Sequence, residues 1–219
     1  MADVVIFGTG SFGQVAHFYF TRDSEHRVVA FTADAGQTEA TSMEGLPVVP
    51  FDRVAQDYPP AQCLMFVAVG YRQVNSVRSG IYDRVKGLGY RLPTYLSSRC
   101  SHWGDTVIGD NCFIFEDNTI QPYVTIGNDV ILWSGNHIGH HATIGDHCFL
   151  ASHVVISGHV RVGNHCFFGV NATTRDAIRI GDRCVIGAGA LIMKSTRDDE
   201  VYIAERTPRD KRKSGEIGL

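Results

Sequence analysis

The chain has 219 residues, 44% of them hydrophobic, with 20 Lys plus Arg against 23 Asp plus Glu. That length and apolar content suit one large or two small globular domains and argue against a disordered or fibrous chain, while a formal charge of −3 gives no field that favours a nucleic-acid backbone. No uncharged apolar run approaches the ~20 residues of a bilayer span. Met1-Ala2-Asp3 runs into Val4-Val5-Ile6-Phe7 without a basic leader. The expectation is a soluble cytoplasmic protein with no membrane insertion and no nucleic-acid partner. Its six Cys form no C-x-x-C pair and are expected to be reduced.

Residues 1–95 read as alternating strands and helices, the pattern of a small Rossmann-like α/β domain with a parallel sheet. Val4 to Phe7 is a buried strand, followed by Gly8-Thr9-Gly10-Ser11-Phe12-Gly13 and a helix from Gln14 to Arg22. Arg27 to Phe31 is the next strand and ends near Asp34. Phe51 to Tyr58 reads as a helix and Cys63 to Val69 as a strand that closes on Gly70-Tyr71-Arg72, before a helix from about Gln73 to Leu88. A G-x-G-x-x-G run between strand and helix lets the backbone approach a pyrophosphate at a helix N-terminus, and Asp34 sits where a ribose-binding acid would. Three or four strands are too few for a two-halved dinucleotide fold, so a single nucleoside diphosphate is expected rather than NAD. The expected substrate-binding set is Gly8, Gly10, Ser11, Phe12, Gly13, Asp34, Gly70, Tyr71 and Arg72.

Residues 96–219 follow another rule. From Ile108 to Ile192 an aliphatic residue returns every six positions, with Phe168 in one place and Thr174 as the single break, and a small or β-branched residue follows four positions later. A helix needs apolar spacing near 3.6 and a hairpin sheet needs two, so a sustained six implies a parallel β-helix. Fifteen hexapeptides over 107–196 make five triangular turns, a prism about 24 Å long at the usual inter-strand spacing, followed by a C-terminal tail. Cys112, Cys148, Cys166 and Cys184 fall on the small inward position and are expected to be inert core thiols.

Seven of the ten histidines lie between His137 and His165. His141, His147, His153, His159 and His165 all precede the small inward residue, and those eighteen apart should stack in adjacent turns. His140 falls one position earlier, with Gly158 eighteen residues on leaving space beside it.

The Gly8–Gly13 motif, the unbroken hexapeptides and the run Ile138-Gly139-His140-His141-Ala142-Thr143-Ile144-Gly145-Asp146 together resemble the nucleotide-sugar acyltransferases of the bacillosamine-pathway N-acetyltransferase and sialic acid O-acetyltransferase type. The resemblance covers nearly the whole chain and implies a left-handed β-helix. It also implies that the first domain holds a UDP- or dTDP-sugar and that three prisms form a homotrimer with acetyl-CoA in the groove between neighbours. By this resemblance His140 is the general base. Gly158, Gly169 and Gly187 are the expected acyl-CoA contacts, the first two also offering turn N–H groups to the oxyanion. Three departures stand out. The relatives carry Asp or Glu after the catalytic histidine, where this chain has His141; their second histidine falls on Phe149; and their C-terminal G-x-P-A-K is replaced by Ala204-Glu205-Arg206-Thr207-Pro208-Arg209. Asp146, a carboxylate of another subunit, or His141 itself would have to orient the base.

An imidazole of unperturbed pKa ~6.5 suits removal of the proton from an attacking amine, and no activated Ser or Cys is evident, so direct transfer is expected rather than an acyl-enzyme. The resemblance implies that the group is acetyl and the acceptor the amino group of a nucleotide-linked 4-amino-4,6-dideoxy sugar made for surface glycans. The alternatives are O-acetylation, a γ-carbonic-anhydrase-like metalloenzyme and a non-catalytic nucleotide-sugar-binding trimer. No metal is expected, because the histidine ladders spread along the prism instead of converging.

Overall fold

A computed structural model describes residues 1–217, so the end of the tail assigned to 96–219 lies outside the described residues. The N-terminal part comprises β1 (Asp3–Phe7), α1 (Ser11–Arg22), β2 (Arg27–Ala33), β3 (Ser42–Met43), β4 (Leu46–Pro50), α2 (Val54–Asp57), β5 (Cys63–Val67) and α3 (Ser76–Gly87). Its sheet has the order β3-β4-β2-β1-β5, with β3 antiparallel to β4 and the other pairs parallel. The strand count of three or four is therefore corrected to five. The β3–β4 hairpin escaped notice because the edge strand β3 has only two residues and Leu46-Pro47-Val48-Val49-Pro50 is short and carries two prolines, which breaks up its hydrophobic pattern. The helix expected over 51–58 shrinks to four residues.

Beyond β6 (Tyr95–Leu96) come fifteen two-residue strands at six-residue intervals, from Val107–Ile108 to Leu191–Ile192. They form three parallel sheets. Strands eighteen residues apart pair in register, as in Thr125 with Thr143 and Ile126 with Ile144, and no insertion interrupts the coils. One face of the prism carries strands 113–114, 131–132, 149–150, 167–168 and 185–186, extended at its ends by β6 and by Val201–Tyr202.

The aliphatic and small positions of the repeat fill the axis as one continuous core. Thr174, the single break, is buried there with its hydroxyl bonded to Ser157. The core cysteines are free thiols at 0% exposure, and burial drives the Cys112 thiol up to about 12, whereas the hydrogen bond with Cys148 draws the Cys166 thiol below its ordinary value.

The residue before each small inward residue turns the corner with positive φ, near 59° at His141, His147, His153 and His159. Asn, Asp and His are the non-glycine residues enriched in this left-handed region, which accounts for Asn111, Asp117, Asp129 and Asn171 at the equivalent corners. The histidine ladder is thus first a solution to backbone geometry. Stacking follows from it: the His141 and His159 rings lie 4.7 Å apart, as do those of His147 and His165.

The two parts share a core. Phe113, Phe115, Ile131 and Phe149, on the outer side of one prism face, pack with Phe20, Phe66 and Tyr95. At the adjoining prism edge, Arg78 of α3 is wholly buried and donates to the Asp129 carboxylate at 3.0 Å and to the carbonyls of Asp129 and His147 at 3.1 and 2.9 Å. Asn75 binds the carbonyls of His165 and Cys166, and Asn111 accepts from the Val67 N–H at 2.8 Å.

Candidate active site

The first region to consider lies at the carboxyl ends of β1 and β5. Gly8 has φ 127°, and a Cβ there would strike the Ala68 carbonyl, while a Cβ at Gly13 would strike the carbonyl of Gly8. These two glycines close the βα turn by packing. Gly10 is different: its backbone is extended and nothing lies within 4 Å of a Cβ, so the fold itself does not require glycine there. Gly10 caps α1 without a side-chain hydrogen bond, and Ser11 is exposed beside it. Phe12 turns inward, with ring centroids 5.5 Å from Phe113 and 6.4 Å from Trp133, which joins this loop to the prism face.

Gly70, Tyr71 and Arg72 follow β5 on the same side of the sheet. The exposed Tyr71 ring rests 4.8 Å from both Phe149 and Phe167, and Arg72 is exposed. Phe149 stands at the position of the relatives' second histidine and serves here as an aromatic wall. Asp34 lies apart. It forms a two-pronged ion pair with Arg84, at 2.9 and 2.5 Å, and the guanidinium holds its carboxyl below the usual range. Together with Phe51, Ala55 and Leu88 the pair lines a 470 Å³ cleft.

The second region is the prism edge formed by the turns around Gly139–Ala142 and Ser157–Val160, between the two faces that do not carry the N-terminal sheet. His140 is exposed, and its ring lies over Gly158, where a Cβ would come to 3.0 Å of Cε1 and Nε2. Its backbone N–H donates to Gln121 Oε1 at 2.8 Å. Its Nδ1 meets His141 Nδ1 at 3.1 Å, so one ring donates to the other. His141 is in turn sandwiched between Tyr123 and His159.

Asp146 does not occupy the orienting role. It belongs to another prism edge, where its carboxylate accepts the Asn128 N–H at 2.6 Å as one rung of a ladder through Asn164 and Asp182. The reason for expecting no metal also needs correction: the corner turns bring ring nitrogens of His140, His141 and His159 within 4.8 Å of one another. Two neighbours in sequence splay around one corner and the next coil adds a third, which a ladder drawn by phase alone does not reveal.

Of the three glycines expected to meet acyl-CoA, only Gly158 adjoins His140. Gly169 and Gly187 stack on a different edge, where a Cβ would meet the backbone of Ala188 and of Tyr202. The residues that sequence reasoning missed are Arg78, Asp129, Trp133 and Phe149. A signal existed for Phe149: outward positions 113, 131, 149, 167 and 185 are Phe, Ile, Phe, Phe and Val, an apolar stripe of period eighteen on one face.

Residues 105–138 and 123–158 match the bacterial transferase hexapeptide family of six repeats, and residues 159–194 match the hexapeptide repeat of succinyl-transferase. No curated protein sequence matches the chain. Among solved structures, it resembles PerB from Caulobacter crescentus in complex with CoA and GDP-perosamine, at 23% identity over 92% of this chain and 93% of that one with a TM-score of 0.82. It also resembles the acetyltransferase domain of PglB from Neisseria gonorrhoeae FA1090, at 21% identity over 92% and 96% with a TM-score of 0.80. The same domain in complex with acetyl coenzyme A gives 22% identity over 91% and 94%, with a TM-score of 0.64. The transferase-hexapeptide matches run over residues 105–194, and the likeness to these solved structures is one of fold, a left-handed β-helix behind a small α/β part.

Proposed function

We propose that the protein transfers an acetyl group from acetyl-CoA to the amino group of a nucleoside-diphosphate amino-deoxy sugar, in the cytoplasm, as a step toward surface glycans. Residues 1–95 hold the nucleotide and the prism of 96–219 carries the chemistry. The observation that carries this reading is the exposed His140 ring, paired through Nδ1 with His141 and lying over Gly158, in a fold that PerB and the PglB domain share along nearly their whole length.

The roles follow from the chemistry of aminolysis. The neutral amine attacks the thioester carbonyl, the new C–N bond forms, and the nitrogen must lose a proton as the C–S bond breaks. With Nδ1–H of His140 donated to His141, the His140 Nε2 lone pair is free to take that proton and then to return it to the departing thiolate. His141 acts as a neutral acceptor where the relatives use a carboxylate, its ring lying between Tyr123 and His159. The backbone N–H groups around Gly158 are the donors nearest to hand for the oxyanion.

The loops after β1 and β5 adjoin one prism face, whereas His140 lies on the edge opposite that face. Both substrates meet when the nucleotide domain of one subunit faces the His140 edge of a neighbour, which is the arrangement of the proposed homotrimer. Gly169 and Gly187, away from His140 in one chain, are then available to acyl-CoA in the groove between subunits.

The test is a panel of UDP-, dTDP- and GDP-linked amino and hydroxy sugars incubated with acetyl-CoA and read by mass spectrometry. The expected product is an N-acetylated amino sugar nucleotide. No mass increase with any amino sugar would overturn the reading, and acetylation of the hydroxy sugars alone would reassign it to oxygen.

A further inference from the structure

His140, His141 and His159 have in common an exposed imidazole and a ring nitrogen within 4.8 Å of the other two. The His140 and His141 Nδ1 atoms already stand 3.1 Å apart, close to the ~3.3 Å between two nitrogens bound to one tetrahedral zinc at ~2.0 Å each. His159 stacks on His141 with an interplanar angle of 16°, while His140 stands at 88° to His159, so the third nitrogen comes from the next coil and approaches from a different direction. As the side chains are exposed, rotation about χ1 and χ2 is free to close the remaining gap.

We propose that this prism edge is a binding site for a divalent transition cation of the zinc, cobalt or nickel type, held by His140, His141 and His159 with water completing the shell. Three imidazoles without a carboxylate favour these borderline ions over magnesium and calcium, which take oxygen ligands. In the metal-free protein the facing Nδ1 atoms share one hydrogen. The cation takes both lone pairs once that hydrogen moves to Nε2 of its own ring, so no proton leaves the pair. The cation is an inhibitor and not a cofactor: on the reading of His140 as base, it occupies a nitrogen of the base and fills the space over Gly158 that the amine needs.

The experiment uses the intact protein and two separate readouts. Cobalt(II) is titrated by absorption spectroscopy and zinc by calorimetry, on the wild type and on His159→Asn and His141→Asn. Asparagine is chosen because it tolerates the positive φ of both corners, 59° in each, so the fold should be retained. One cation per chain is expected, with the dissociation constant raised roughly tenfold or more by either substitution, since loss of a direct ligand exceeds the loss of its supporting partners. Acetyl transfer by the wild type should fall on adding zinc and return with EDTA, and His159→Asn should need a correspondingly higher zinc concentration. Absence of saturable binding, equal affinity in His159→Asn, or a thiolate charge-transfer band placing cobalt on cysteine would each overturn the site. Histidine-dependent binding that leaves wild-type turnover untouched would support the site while removing His140 from the role of base.

Discussion

His147 and His165 stand on one edge of the prism, His141 and His159 on another, and within each pair the rings stack 4.7 Å apart across one coil. All four occupy the same phase of the hexapeptide and turn the same left-handed corner. Their surroundings differ. The first edge is covered by α3: His147 Nδ1 meets Asp129 Oδ2 at 2.8 Å, Arg78 donates to the same oxygen while Asn111 donates to Oδ1, and Tyr82 abuts the ring. The second edge is open, and there His140 sits one residue ahead of the ladder over a glycine. One repeat therefore supplies a structural joint where another domain covers it and an open row of exposed imidazoles where none does. Local backbone rules put histidine at the corner, and the neighbours decide what the ring does.

The sharpest way to break this comparison is to remove His140. Its alanine variant should lose ~10²–10⁴ in kcat, the range for removing a general base, with little change in melting temperature because the side chain is exposed and carries no core packing. His153→Asn, on the third edge, should leave turnover within about twofold of wild type and serves as the control for histidine loss as such. A His140→Ala enzyme turning over normally at pH 7 would move the search for a base to His147 and His153.

The covered edge should respond in stability instead. Arg78→Ala leaves the Asp129 carboxylate, at 0% side-chain exposure, without its guanidinium, a change that costs about 3–5 kcal/mol when one partner of a buried pair is removed. Urea unfolding is the measurement. A loss below about 1 kcal/mol would mean that the joint between α3 and the prism is held by the aromatic core alone.

The nucleotide loop tests the other half of the molecule. Gly10→Val has room for its side chain and an unstrained backbone, so it should fold normally and raise the KM for the sugar nucleotide roughly tenfold or more while leaving the acetyl-CoA KM unchanged. Equal changes in both constants would assign the loop to structure. Gly13→Ala is the contrasting variant, expected to destabilise because its Cβ would collide with the Gly8 carbonyl. Asp34→Ala is less informative, since it also removes the Arg84 ion pair.

How far each part was legible follows from the physics of its signal. The prism was written in the sequence because every coil repeats one backbone path, so fourteen apolar positions such as Ile108, Leu132 and Ile186 vote for the same period. The N-terminal strands were legible where burial made a continuous apolar run, as in Val4–Phe7 and Cys63–Val67, and illegible in the short, proline-bearing strand Leu46–Pro50. At the site, His140 stood out by its phase, but its convergence with His141 and His159 depends on how side chains leave a positive-φ corner. Arg78 was invisible for another reason: an arginine on a helix reads as surface until the partner that buries it, 51 residues away at Asp129, is known.

The smallest effect concerns pH and the covered edge. Burial, together with the charges of His147 and Arg78, pushes the His165 imidazole below its ordinary value, opposed by the nearby Asp129 carboxylate, with Arg183 adding to the push. In the unfolded chain the ring titrates near ~6.5. Above that pH the ring is neutral in both states and the group leaves stability unaffected by further increase. As pH falls below ~6.5 the unfolded chain takes up a proton that the folded chain refuses, so unfolding becomes easier, and the loss is complete once pH drops below the depressed folded value. Urea unfolding from pH 7 to 5 should therefore show a decline that is shallower in His165→Asn, a substitution the φ of 58° at this corner accommodates. Identical slopes for wild type and His165→Asn would mean that the covered edge shields its histidine too little to matter, and the contrast between the two edges would then rest on Arg78 and Asp129 alone.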